Sequence, residues 1–216
     1  MCGRSFRRFL PFGQPVRTEA RCPSCGALER HRLIALWIDA HARDLGRRTL
    51  HCAPERPVAQ KLRLVSTEYK SLDLSGGEVD FQADLTDLPF EDGRWDFLVC
   101  SHVLEHIPDD RAAISEITRV LSPGGKALIV VPRRAGGPTD EHASLPETER
   151  IARFGQRDHV RIYGDDLEDR LAGAGLLVSS IAADSYPTEL RERFGLEPRG
   201  GYPGTGDAAF ICSKAV

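Results

Sequence analysis

The feature that most constrains this chain is a regular alternation of short apolar runs and helical runs from residue 49 onward. Residues 49–52, 68–72, 79–83, 95–100, 127–131, 176–182 and 208–212 have the composition of short strands and are bounded by turn residues. Helical spacing of apolar residues marks 58–64, 110–121 and 165–174, the last closed by Gly175. Strands separated by helices predict βαβ units, because a parallel neighbour is reached only by a crossover long enough to hold a helix. The expected fold class is α/β: a doubly wound, seven-stranded, mostly parallel sheet with a small N-terminal unit. One more helix is predicted over 29–45, where Leu33, Ile34, Trp37, Ile38 and Ala40 recur at helical spacing.

At 216 residues the chain can build one good-sized core with a small appendage. No stretch approaches the roughly 20 apolar residues that a bilayer span needs. The N-terminal sequence MCGRSFRRFLPFG has arginines but neither a long apolar run nor a small-residue cleavage pattern, so it does not read as a signal peptide. A cytoplasmic location and no membrane partner are the expectation. The net charge of −3 is unevenly spread. Residues 1–48 hold ten Lys/Arg against four Asp/Glu, a net of +6, which leaves −9 on the rest. A basic front of this kind suits phosphate or nucleic acid, but a solvated charged surface is the commoner explanation.

Six cysteines at these positions are not a disulfide framework. Cys52, Cys100 and Cys212 lie at or in apolar strand-like runs and are expected as buried thiols. Cys2, Cys22 and Cys25 belong to residues 1–27, a zinc-ribbon-like unit separate from the main domain at 28–216. Cys22-Pro23-Ser24-Cys25-Gly26 is a C-x2-C knuckle, and nineteen residues separate Cys2 from Cys22. A ribbon uses two C-x2-C pairs about 15–20 residues apart. The chain supplies three of the four thiolates, with His31, another donor or a residue upstream of Met1 as the fourth, or the site is lost.

The densest signal is the segment 81–132, FQADLTDLPFEDGRWDFLVCSHVLEHIPDDRAAISEITRVLSPGGKALIVVP. It holds, in order, an A-D-L-x-x-L-P-F block, a W-D-x-x-V strand, a V-L-E-H-I helix start and an L-x-P-G-G hairpin. This order resembles class I S-adenosylmethionine-dependent methyltransferases, especially their small-molecule branch, and the likeness extends more weakly over 49–181. The resemblance implies S-adenosyl-L-methionine as cofactor. It also implies roles for particular residues. Asp73 at the end of the second strand would accept the ribose hydroxyls, as in dinucleotide folds. Asp84 would accept the adenine amino group, Leu85 would face the ring, and Ser101 ends the fourth strand beside the cofactor.

The first motif departs from the family pattern. Where an acid and a glycine-rich turn are usual, the chain reads His51-Cys52-Ala53-Pro54-Glu55. His51 takes the acid's position, and Ala53 and Glu55 replace two glycines that let backbone approach the ligand. Glu55 is a candidate acceptor for the cofactor's cationic amino group, or a solvated turn residue. An H-x-A-P-E turn, a CPxCGxLERHR segment and a later FGQxDHVRxYG segment together resemble a bacterial subgroup of these methyltransferases with a zinc-ribbon-like N-terminus. In that subgroup the altered turn is the norm.

Transfer from an activated sulfonium asks mainly for positioning and exclusion of water. A base matters only when the acceptor arrives protonated. His102, just after the fourth strand, and His159 are the catalytic candidates. His142 lies in the same long connection as His159, and His106 is read as structural. Arg161 suits an acidic substrate group or a surface salt bridge. Two long connections, 133–164 and 184–207, are rich in Gly, Pro and charge and are expected to cover the acceptor, a small or carrier-linked molecule. A second reading is RNA methylation gripped by the basic front. It lacks an N-P-P-Y-type segment after the fourth strand, where Ser101-His102-Val103-Leu104 stands. A third is a non-catalytic binding module. Nothing in the sequence fixes the oligomeric state.

Overall fold

The computed structural model describes residues 1–197, 199–200 and 205–216. In chain order the elements are β1 (Leu10–Phe12), β2 (Arg17–Arg21), α1 (Glu29–His41), β3 (Arg48–Cys52), α2 (Arg56–Val65), β4 (Glu68–Asp73), β5 (Phe81–Gln82), β6 (Trp95–Ser101), α3 (Asp110–Val120), β7 (Leu121–Arg134), β8 (Asp140–Glu141), α4 (Glu147–Phe154), β9 (Arg161–Ile162), α5 (Leu167–Gly173), β10 (Leu176–Ile181), α6 (Thr188–Phe194), β11 (Arg199–Gly200) and β12 (Thr205–Lys214). A 3-10 turn covers Leu104–His106, between β6 and α3.

The main sheet has seven strands in the order β10-β12-β7-β6-β3-β4-β5. β3 pairs in parallel with both β4 and β6, and β6 with β7; β12 alone runs antiparallel to its neighbours β7 and β10. This is the expected seven-stranded, mostly parallel sheet. The order reverses direction between β3 and β6, which makes the carboxyl ends of these two strands the switch point where such sheets bind ligands.

Side chains alternate across the sheet, and each face is covered by its own helices. Phe97, Val99, Leu128 and Val130 pack with Ile34, Trp37 and Ile38 of α1 and with Val58 and Leu62 of α2. Leu98, Cys100, Ile129 and Val131 pack with Ile114 and Ile117 of α3 and with Leu167 and Leu171 of α5. β6 is buried along its length except at Asp96, as a central strand covered on both faces must be. Cys52, Cys100 and Cys212 are buried free thiols.

Four expectations change. The third strand shrinks to Phe81–Gln82, with two ladder pairs to β4. Pro123-Gly124-Gly125 does not end an element. Leu121 pairs with Trp95 and Lys126 with Phe97, so 122–125 loop out opposite Asp96 and one strand resumes. The Asp96 carboxylate fastens that point, accepting from the Arg47 and Arg48 backbone amides at 3.0 Å and from the Arg48 guanidinium at 2.6 Å. The first helix stops at His41, and the chain turns at Gly46 (φ 74°) against Asp96. Finally, neither long connection is bare loop. Residues 133–164 carry β8, α4 and β9, and 184–207 carry α6 and β11, with 198 and 201–204 outside the described residues.

Residues 1–27 form the hairpin β1-β2, to which β11 adds a third strand from the far end of the chain. Arg32 of α1 ties these parts together. It is buried, donates to the carbonyls of Ala20, Ala27, Phe194 and Gly195, and stacks on Phe9 at 3.9 Å. No helix among the described residues is long and apolar enough to cross a membrane.

Candidate active site

The carboxyl edge of the sheet divides at the switch point into two halves. Over β3, β4 and β5 lie Ala53, Glu55, Asp73 and Asp84. Ala53 follows β3 with φ 45° and donates its amide to the Leu72 carbonyl at 2.8 Å. It keeps, at the cost of some strain, the left-handed backbone that glycine adopts freely. Asp73 ends β4 half-buried and accepts the Ser75 amide at 2.8 Å. Asp84 is exposed and accepts the Thr86 amide and hydroxyl, each at 2.8 Å. Each carboxylate accepts from its own turn and remains open to solvent.

Four other residues expected at the cofactor have different surroundings. His51 is fully buried, with Nδ1 3.0 Å from the Tyr69 hydroxyl. Burial pushes its pKa down to about 3, so the ring is a neutral core group with no solvent-facing surface. Leu85 is buried in the core beside Leu88 rather than lying open at the strand ends. The Glu55 carboxylate is already filled. It accepts from Arg30 at 2.5 Å and from the Ser101 hydroxyl at 2.9 Å, and lies 2.6 Å from His31 Nε2. Burial opposes its charge, but His31 and Arg30 outweigh that and hold the pKa far below the usual carboxylate range. Ser101 is buried and faces this same cluster. Glu55 is thus the bolt between α1 and the turn after β3.

The other half, over β6, β7, β12 and β10, holds an open cavity of about 770 Å³. Phe12 and Arg30 line it from the N-terminal side, Phe154 and His159 from the first long connection, and His102 and Asp207 from the sheet edge. Neither Ala53, Asp73 nor Asp84 lines it, so the cavity and these two carboxylates are separate features. His102 has φ 55°, an uncommon backbone that in a non-glycine residue marks a constrained position. Its Nδ1 is 3.1 Å from Glu105 Oε1 and its Nε2 is 3.1 Å from Asp207 Oδ1. Burial alone would lower its pKa, but the two carboxylates raise it to about 9. At neutral pH the ring therefore carries its proton and acts as a charged donor. His159 is the opposite case. It is buried, burial lowers its pKa, and neither ring nitrogen has a hydrogen-bond partner among the described residues. It is the imidazole free to accept a proton. His142 is exposed, its amide bonded to the Val160 carbonyl.

Arg161 is neither a substrate hook nor a surface pair. It is 2% exposed and donates to the carbonyls of Leu104, Ile107 and Pro108. It clamps the turn that carries Glu105 and His106. Sequence reasoning missed this, together with Arg30, Glu105 and Asp207. Arg30 stood in the quoted LERHR segment and Glu105 in V-L-E-H, but Asp207 had no local signal, being brought in by strand pairing.

At the N-terminus, Cys2, Cys22 and Cys25 bring their sulfurs within 4.8 Å of one another, with Cys2 and Cys22 3.9 Å apart. Tetrahedral zinc with Zn–S bonds of ~2.3 Å sets sulfurs about 3.8 Å apart. The knuckle is closed by Cys22 N–H to Ala27 O at 2.8 Å and Gly26 N–H to Cys22 O at 3.0 Å. His31 does not join it. Its Nδ1 accepts the Leu28 amide and its Nε2 faces Glu55. The basic front is also partly spent: Arg17 pairs with Glu29, Arg30 with Glu55 and Arg48 with Asp96, and Arg32 is buried.

Residues 27–129, a little under half of the chain, match the family described as a methyltransferase domain. The chain is similar to the O-methyltransferase cnsE of Penicillium expansum, 29% identical over 135 residues that cover 62% of this chain and 44% of that protein. It is 31% identical to the O-methyltransferase rstn1 of Aspergillus nomiae over 139 residues, covering 63% and 56%. The chain thus spans about half the length of these relatives. Among solved structures, YcgJ from Bacillus subtilis shares the fold, with a TM-score of 0.59 at 17% identity over 87% of this chain and 99% of that one. Strand order and the solved neighbour agree on the fold, and the stretch that matches the methyltransferase-domain family, residues 27–129, spans α1 to most of β7 at the centre of that sheet.

Proposed function

We propose that this chain transfers the methyl group of S-adenosylmethionine to an oxygen of a small or carrier-linked acceptor. The observation that carries this reading is the division of the sheet edge. Two carboxylates, Asp73 at the end of β4 and Asp84 just past the neighbouring β5, lie on one side of the switch point. A cavity bordered by two imidazoles lies on the other side. The residues fit the cofactor. Asp73 suits the ribose hydroxyls, Asp84 the adenine amino group, and the left-handed backbone at Ala53 preserves the close-approach turn. The cofactor supplies an activated methyl. The protein's part is to hold it against the cavity, exclude water and accept a proton, for which neutral His159 is suited. The O-methyltransferase relatives support an oxygen acceptor. The structured connections 133–164 and 184–207 both border the cavity and are assigned to acceptor recognition. We also assign Cys2, Cys22 and Cys25 as zinc ligands, with water or another donor in the fourth position.

Calorimetry with S-adenosylmethionine and S-adenosylhomocysteine tests the reading. Asp73→Ala and Asp84→Ala should each weaken binding ~10- to 100-fold, the worth of one charge-assisted hydrogen bond. Absence of binding by the unaltered protein at millimolar cofactor rejects the enzyme.

A further inference from the structure

Beside the cavity, the carboxylate of Glu105 and the rings of His106 and His159 converge, one ligand atom from each lying within 4.8 Å of the others. Two of the three are unusual. Glu105 is 0% exposed and His159 3%, yet Oε2 of Glu105 and both nitrogens of His159 are without a hydrogen-bond partner among the described residues. Glu105 Oε1 faces His102 Nδ1 at 3.1 Å, and Oε2 has no ion-pair partner among the described residues. A buried carboxylate and a buried imidazole with spare lone pairs aimed at one point are costly without a partner. His106 Nδ1 is 3.4 Å from Asp158 Oδ2, an ordinary orienting contact for a ligating imidazole, and its ring meets that of His159 edge-on at 4.7 Å.

We infer that Glu105, His106 and His159 form a site for a first-row divalent cation at the wall of the acceptor cavity. Two imidazoles and one carboxylate form the donor set of non-haem iron and of catalytic zinc, and in both they leave positions open for another ligand. Bonds of about 2.0–2.2 Å require ligand atoms ~3.0–3.5 Å apart, so the group closes by small side-chain shifts. The frame that holds it is rigid. Glu105 lies in the 104–106 turn clamped by Arg161, and the Val160 amide donates to the Glu105 carbonyl at 2.9 Å. Because His159 lines the cavity, an open position on the metal faces the acceptor. This deepens the proposed methyltransferase reading and rests on it for the acceptor class: an oxygen that ligates a metal, as in a hydroxylated aromatic ring or an α-hydroxy acid. Ligation would lower the acceptor's pKa so that its proton leaves to solvent, replacing transfer to His159, whose lone pair is then on the metal; the oxygen takes the methyl group and S-adenosylhomocysteine departs with the C–S electron pair.

The test uses the full chain, first loaded with one equivalent of zinc to fill the cysteine cluster, then titrated with Mn²⁺ alone. Loss of the free-Mn²⁺ electron paramagnetic resonance signal should give one site per chain. Glu105→Gln, His159→Ala and His106→Ala should each weaken it at least ~10-fold, since even outer-shell changes cost that much. His106 is half-exposed, so its variant keeps the test open if the buried ones fail to fold. No saturable binding at millimolar Mn²⁺, or binding that survives all three substitutions, overturns the inference. The titration contains no S-adenosylmethionine, so its failure is distinct from failure of cofactor binding.

Discussion

Replacing Arg161 by Met should lower the unfolding free energy by about 3–5 kcal/mol, the usual cost of removing one member of a buried, hydrogen-bonded ion pair. The side chain is 2% exposed, so its charge is not lost to solvent screening. Its guanidinium satisfies three carbonyls in the 104–108 turn, lies 3.2 Å from Glu141 and 3.8 Å from Asp110. Methionine keeps much of the volume but strands the carbonyls and unbalances Asp110, leaving that carboxylate to Arg170 at 3.1 Å and the Tyr163 hydroxyl at 2.8 Å. Lysine should rescue little, because one ammonium cannot reproduce the planar fork. Urea denaturation should show a lower midpoint with an unchanged slope. A loss under 1 kcal/mol, with a raised acceptor KM, would return Arg161 to the role of substrate hook.

Arg161 also marks where reading the sequence stops. The D-H-V-R segment was visible, but burial was not, because a charged residue is surface by default until the fold encloses it. The places of the seven strands along the chain and the positions of Asp73 and Asp84 were legible, since apolar runs and strand-end acids are local signals. His51 and Glu55 were misleading for the opposite reason. They occupy family positions, yet their partners Tyr69, Arg30 and His31 come from other elements. The strand across Pro123-Gly124-Gly125 was hidden because its continuity comes from β6, where Trp95 and Phe97 pair with Leu121 and Lys126 on either side of the looped-out residues. In each case the missing information is long-range contact.

The same long-range coupling governs what zinc should do. Cys22 follows β2 directly, Cys25 closes the knuckle, and α1 begins four residues later with Glu29, Arg30, His31 and Arg32. Arg30 and His31 hold Glu55, while Arg32 holds the carbonyls of Ala20 and Ala27 on either side of the knuckle. Metal at the proposed cysteine site would therefore brace the turn after β3. Residues 1–27 leave Phe6, Leu10, Phe12 and Val16 exposed, so a metal would contribute stability the hairpin lacks. At zinc 100-fold above its dissociation constant the folded state gains about 2.7 kcal/mol, or roughly 5–10 °C in Tm for a chain of this size. Chelation should reverse that gain and weaken S-adenosylhomocysteine binding through the Glu55 bolt. Cys22→Ser and Cys25→Ser should abolish the thiolate-to-cobalt charge-transfer band of the Co²⁺ form, which the Glu105 site cannot produce. If that band survives both substitutions, the cysteines are not ligands. If it is lost while cofactor affinity stays unchanged, the knuckle and the cofactor turn are independent.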